Sequence, residues 1–283
     1  MSTALQQTPP VLLDLTSGRS GSARRRLALA DLANGLTTWR LSCVLGWLDI
    51  RVRYRGSLLG PFWLTLSTGI MVAALGFLYS QLFHMDLNEY LPFLALSLVL
   101  WNAIGGLVAD ACGSFTQYEG MIRSVRMPFT LYAARTVIRN AIVLAHNIPV
   151  ILVVWAVFDV WPGWHGLLAL PGILLWTIDG LACCLLLGAI CARFRDIPPI
   201  VASVMQIAFF VSPIIWKPEL VGANARYLPL NPFYVLTEVV RAPLLGASPG
   251  MLVLACAGLY SAALCLVTWV LFVRVRSRIA FWI

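Results

Sequence analysis

The sequence predicts an all-α integral membrane protein: six transmembrane helices, an N-terminal amphipathic interface helix, and both termini in the cytoplasm. Three observations carry this. Of 283 residues, 60% are hydrophobic and only 11% charged, whereas a soluble domain is about half apolar and about a quarter charged. So few charges cannot cover a globule in water, which excludes cytosolic enzymes, secreted domains and disordered proteins. Six stretches, 61–83, 91–113, 136–158, 167–190, 198–216 and 251–273, come near the ~20 apolar residues that a helix needs to cross the hydrocarbon. The net charge of +8 comes from arginine and the single Lys217, and these residues crowd into alternate gaps between the stretches.

From the N-terminus, residues 1–34 begin polar and Pro-containing and are predicted as a disordered cytoplasmic tail. Arg24, Arg25 and Arg26 do not introduce a signal peptide, because Asp31, Asn34 and Arg40 break the run that follows. Residues 35–56 are too polar to span. They place Leu36, Trp39, Cys43, Trp47 and Ile50 at helical spacing, with Thr38, Ser42, Asp49 and Arg53 on the other side. That pattern predicts a helix lying in the interface with tryptophans at headgroup depth, or else an ordinary soluble capping helix.

Residues 57–283 form the membrane domain. Lipid offers no hydrogen bonds to a bare backbone, so runs of this length must be helical; the alternation of a β-barrel is absent. Eight arginines precede the first span, three lie in 114–135, Arg193 and Arg195 in 191–197, and Arg274, Arg276 and Arg278 after the last span. The gaps 84–90 and 159–166 hold no Lys or Arg, and 217–250 holds only Lys217, Arg226 and Arg241. The positive-inside rule then fixes the orientation. The 217–250 loop carries Pro218, Pro229, Pro232 and Pro243 around a helix-like stretch at 232–242. It is either an external gate or a passive outer cap.

The chemistry is mostly one of exclusion. No G-x-x-x-x-G-K-[ST] loop exists, and the one lysine is on the external side, so ATP is not hydrolysed by this chain in that way. There is no defensible Ser/His/Asp arrangement or carboxylate pair. The seven cysteines form no C-x-x-C, and no His stands at ligand spacing, which argues against a metal site or a disulfide framework. No catalytic residue and no cofactor is assigned. Polar groups inside spans are functional candidates by default: Arg139, His146, Asn147 and Asp179, with Asn140 and Asp110 beside them. They could form a polar pathway or a buried packing network. Trp63 and Trp101 could line a conduit or serve as anchors. In 114–135, Tyr118, Glu119, Met121, Arg123 and Arg126 precede Pro128 and form either a partner-facing helix or a plain loop. Acidic groups are too few in series for a proton-coupled pump.

Several motifs then coincide. Arg53-Tyr54-Arg55-Gly56-Ser57-Leu58-Leu59-Gly60-Pro61-Phe62-Trp63 resembles the entry motif of ABC-2 type permeases that export polysaccharides such as O-antigen (lipopolysaccharide) and capsule. His146-Asn147, Arg193-Phe194-Arg195-Asp196-Ile197, Ser212-Pro213-Ile214-Ile215-Trp216, and Asn231-Pro232-Phe233 before Arg241-Ala242-Pro243-Leu244-Leu245-Gly246 follow in order. The resemblance covers roughly 35–275. It implies a homodimer in the cell inner membrane, bound to two copies of a nucleotide-binding subunit that carries the ATP and Mg. It also implies a coupling helix at about 117–127 (Tyr118, Glu119, Met121, Arg123, Arg126) and an external gate at 217–250 with Trp216, Asn231, Phe233, Tyr234 and Arg241. The implied cargo is a polyprenyl-pyrophosphate-linked polysaccharide, and nucleic acid is not a partner. Arg51, Arg53 and Arg55 could hold the pyrophosphate by bidentate contacts. Alternatively they serve only orientation and anionic membrane lipids, at about 1 kcal/mol each. Competing cargoes are capsule, teichoic acid and drugs. An ATP-independent secondary transporter would need inverted repeats, which are not evident.

Overall fold

A computed structural model describes residues 21–60 and 62–283. Among these residues every regular element is helical. Ten α-helices follow in order: α1 (Gly21–Thr37), α2 (Trp39–Arg53), α3 (Phe62–Leu82), α4 (Leu87–Cys112), α5 (Glu119–Ser124), α6 (Phe129–Phe158), α7 (Ala169–Arg193), α8 (Ile197–Val211), α9 (Pro232–Leu244) and α10 (Met251–Trp282). Short 3-10 segments precede α5, α7 and α9, at Thr116–Tyr118, Gly163–Leu168 and Pro218–Leu230.

Five helices are long and apolar enough to cross a membrane: α3, α4, α6, α7 with its leading turn, and α10. The stretch 198–216 was expected to be a sixth span, but α8 has only 15 residues, about 22 Å of helix, against a hydrocarbon core of roughly 30 Å. Its stop has a local cause. Ser212 precedes Pro213 and takes an extended backbone, with φ −88° and ψ 145°, as a residue before proline prefers. The chain then runs irregularly through Ser212–Ile215, all of them buried.

The bundle has two distinguishable ends. At one, α1, α2, α5, the start of α6 and the ends of α7 and α10 converge: Asp31 pairs with Arg276, Tyr118 with Asp49, and Arg193 lies 5.9 Å from the Trp282 ring. This is the arginine-rich end. A core of Ala28, Phe115, Phe129, Tyr132, Cys184, Phe272 and Ile279 lies there. At the opposite end, Tyr260 donates to the carbonyls of Pro229 and Leu230, and Trp176 to that of Leu236. A second core there gathers Tyr90, Phe93, Leu94, Trp101 and Ile214. The central helix is α4, buried from Phe93 through Trp101 and packed on α3, α6, α7, α8 and α9. By contrast, α8 buries no residue at all, and α3 only Val72, Gly76 and Ser80.

Two N-terminal expectations change. The disordered tail over 1–34 is corrected for its second part: residues 21–34 belong to α1, and 1–20 lie outside the described residues. The helix is held by tertiary contacts rather than by a strong apolar stripe. It buries Ala28, Asp31 and Gly35 at a spacing of three and four residues, one narrow face. A Cβ at Gly35 would collide with Thr130 of α6. The predicted helix at 35–56 is interrupted at Thr38 and ends at Arg53. Its tryptophans do point away from the protein, with Trp39 and Trp47 exposed. The face expected to meet water instead packs on α6: Ser42 and Gly46 are buried, and Ser42 Oγ donates to the Leu131 carbonyl.

Candidate functional site

Two polar clusters stand out, one at each end of the bundle. At the arginine-rich end, Asp49 of α2 meets Arg135 and Arg139 of α6 and Tyr118 of the 3-10 turn. Arg135 Nε donates to Asp49 Oδ2 at 2.8 Å, and its second nitrogen donates to Oδ1, a bidentate pair. Tyr118 Oη donates to the same carboxylate at 2.9 Å, and the Arg135 guanidinium sits 3.9 Å over the Tyr118 ring. Arg139 lies 2.9 Å from Asp110 of α4 and donates to Tyr118 Oη at 3.2 Å; Asn140 donates to Asp110 at 2.9 Å. The predicted coupling helix at 117–127 is therefore a 3-10 turn followed by the short α5, and its inner side rests on an ion cluster. Burial pushes the Asp49 carboxyl up. The hydrogen bonds from Arg135 and Tyr118, with both guanidinium charges, more than offset this and hold it below the usual carboxylate value. Burial raises the Tyr118 phenol to about 12, so it stays a donor.

On the outer surface of that segment, Glu119, Arg123 and Arg126 are exposed, while Met121 is half-buried beneath Arg135. Glu119 and Arg123 form a surface pair at 2.8 Å, of the kind that contributes little by itself.

The cluster at the opposite end surrounds the break after α8. Arg241 of α9 is 1% exposed. It donates to Ser97 Oγ of α4 at 2.8 Å and to the Pro213 carbonyl at 2.7 Å, pairs with Glu238, and lies 4.3 Å from the Phe93 ring centroid. Tyr90 donates to the Ile215 carbonyl. Asn231 caps α9, accepting from the Phe233 and Tyr234 amides at 3.0 and 3.3 Å, while its Nδ2 donates to Ser212 Oγ at 2.9 Å. Irregular backbone at membrane depth is tolerable only when its polar groups find partners, and these side chains are the partners. Helix α9 buries Tyr234, Val235, Val239 and Val240. It approaches α7 at Gly172, where a Cβ would lie 2.8 Å from Val239 Cγ1.

The remaining predicted residues divide. Trp101 is buried, with the Phe209 and Phe233 rings each 5.7 Å away. Asp179 accepts from Ser261 of α10 at 2.7 Å, and Asn147 donates within its own helix to the Val143 carbonyl at 3.2 Å. His146 is half-buried, its Nδ1 2.8 Å from the Ile142 carbonyl and its ring 6.3 Å from Phe62. Trp63 is exposed, and so are Arg51, Arg53 and Arg55 on and just after α2, with none of these three in an ion pair. Trp216 donates to the Phe210 carbonyl at 3.2 Å. Sequence reasoning missed Asp49 and Arg135 as a pair, and Ser97 and Glu238 as partners of Arg241. One signal was present: Asp49 is the only acidic residue between 35 and 56.

Asp49→Ala leaves Arg135 buried without its counter-charge, and should lower stability in detergent by about 3 kcal/mol, read by thermal unfolding. The wild-type pair is complete above about pH 4, and its contribution is lost as pH falls through the lowered Asp49 value. An Asp49→Asn protein should lack that acid limb. At the opposite end, Arg241→Met strands Glu238 and two further acceptors, Ser97 Oγ and the Pro213 carbonyl, and should cost at least about 3 kcal/mol. Adding Glu238→Gln should restore part of the loss in the same melt.

The ABC-2 type transporter family matches residues 40–245. An O-antigen export system permease protein RfbA from Myxococcus xanthus is 25% identical over 197 residues, covering 69% of this chain and 76% of that protein. Two proteins of the same name from Klebsiella pneumoniae are 21% and 20% identical over 181 residues, covering 64% of this chain and 70% of each. The match spans both polar clusters, α2 through α9, and with it the chain belongs to the ABC-2 type transporter family, as a membrane permease rather than a catalytic subunit.

Proposed function

We propose that this chain is the membrane subunit of an ATP-driven exporter that moves a polyprenyl-pyrophosphate-linked polysaccharide of the O-antigen type out of the cytoplasm. One observation carries the reading: segment 116–127 presents exposed Glu119, Arg123 and Arg126 and is backed by the Asp49–Arg135–Tyr118 cluster. A surface of charged residues on a rigid support can receive a push from another protein and pass it inward. In this reading a separate nucleotide-binding subunit, carrying ATP and Mg, docks there. Two copies of each subunit assemble. The apolar outer faces of α3 and α8, which this chain leaves uncovered, meet the second copy and the surrounding lipid.

The proposed placement is the cell inner membrane with the arginine-rich end in the cytoplasm, which suits the positive-inside rule. Both termini then lie on that side, and α8 with residues 212–216 makes the sixth crossing. Arg51, Arg53 and Arg55, exposed and unpaired, are offered to the pyrophosphate head group beside the foot of α3. Of the intramembrane candidates, Trp63 and His146 keep accessible surface in one subunit. Trp101, Arg139 and Asp179 act from behind by holding the helices around the conduit, and Asn147 faces it from within its own helix. On the outer side, the Asn231-capped α9, with Phe233, Tyr234, Trp216 and Arg241, forms the gate. Sugars pass by weak stacking and hydrogen bonds, so a long polymer can slide.

Purification from native membranes in mild detergent should recover an equimolar partner bearing a Walker A loop. Recovery of the chain alone would overturn the exporter reading in favour of an ATP-independent transporter. In cells, Arg53→Gln with Arg55→Gln should reduce surface polysaccharide at least about tenfold, the loss of one or two charge-assisted phosphate contacts, with normal membrane insertion. Undiminished export would remove the head-group role.

A further inference from the structure

Segments on either side of the family match, 21–39 and 246–283, meet each other at the arginine-rich end. Their meeting point is Asp31 of α1, 2% exposed. Its Oδ1 accepts from the Thr130 amide at 3.0 Å and the Thr130 hydroxyl at 2.9 Å. Its Oδ2 accepts from the Phe129 amide at 3.3 Å and from Arg276 Nε of α10 at 2.7 Å. Phe129 and Thr130 are the first two residues of α6, and the residue before them is Pro128, whose side chain offers no acceptor. Asp31 thus supplies from another helix what an N-cap residue supplies locally, with negative charge at the positive end of the helix dipole. Gly35, one turn on, holds α1 against Thr130 with no room for a side chain.

The location matters because only Pro128 separates Phe129 from the segment assigned above to the ATPase contact. A second tie runs from the same segment to the residue just past that helix, where Arg123 donates to the Ile283 backbone oxygen. Helix α10 then runs the length of the bundle. Along it Thr268 and Ser261 hold it to α7, and in its first half Tyr260 donates to the carbonyls of Pro229 and Leu230, just before α9. A rigid helix tied at one end to the segment and at the other to the base of α9 is a physical route between them.

We propose that Asp31 is a positioning residue that links the 116–130 region to α10, so that displacement of the cytoplasmic segment is delivered through α10 to the external α9 region. The proposal rests on the exporter reading and adds to it a transmission path built from residues outside the matched family region.

The test uses the complex of the full chain with its co-purified ATPase, comparing ATP hydrolysis with export of polymer in cells and in vesicles. Arg276→Met severs the Asp31 link to α10, while the Arg123 contact with Ile283 stays in place and Asp31 still caps α6. Export should fall about fivefold or more, the lower bound of ordinary allosteric coupling, while complex yield and ATPase rate stay within about twofold. ATP consumed per polymer therefore rises. Arg276→Lys, which keeps a cation within reach of Asp31, should recover most of the export. Asp31→Asn should uncouple in the same sense; should it fail to accumulate, Arg276→Met alone decides. The proposal is overturned if Arg276→Met exports as wild type does, or if export and hydrolysis decline together in proportion to assembled complex. Wild-type vesicles that show no nucleotide-dependent export would instead sink the exporter reading, independently of the variants.

Discussion

A backbone amide or carbonyl inside a bilayer has no water to turn to, and the architecture follows from that constraint. Where the chain stays helical the constraint is met locally, which is why α4, α6, α7 and α10 run 25 residues or more. Where the helix stops, side chains from elsewhere must take over. After α8 the carbonyls of Pro213 and Ile215 are served by Arg241 and Tyr90. At the start of α6 the amides of Phe129 and Thr130 are served by Asp31. Each solution joins distant segments, so breaks in helices become the places where the fold is tied.

The same reasoning separates two populations of arginine. Those at the surface of one end, including Arg51, Arg53, Arg55 and Arg126, are exposed. Arg135, Arg139 and Arg241 are buried and each faces a carboxylate: Asp49, Asp110 and Glu238. A buried guanidinium costs far more to leave unpaired than a surface one. The buried three therefore fix which helices touch.

Much of the helix content was readable because apolar run length is a direct consequence of bilayer thickness. The stretch 61–83 became Phe62–Leu82, and 91–113 became Leu87–Cys112. The stretch 136–158 was drawn too short, since α6 begins at Phe129. Its first turns carry Arg135, Arg139 and Asn140, which look hostile to a buried helix until their partners on α2 and α4 are seen. A helix was expected over 35–56 and α2 covers Trp39–Arg53 of it, but a Ser/Gly/Asp face reads as water-facing by composition and yet packs closely on α6. Residues 21–34 read as tail for a related reason: nothing in their pattern announces that Asp31 will find both a helix N-terminus and Arg276.

By itself, then, the sequence determined that the chain lies in a membrane, where its long apolar helices fall, and that most of its arginines gather in alternate gaps between those helices, since each depends only on transfer of residues between water and lipid. It also carried the motifs of the family to which the chain belongs. The tertiary structure alone decided that α1 exists as a docked helix, and which carboxylate answers which arginine. Those outcomes depend on pairing between residues up to 245 positions apart, and a pairing energy has no trace in either partner's local sequence until the fold brings the two together.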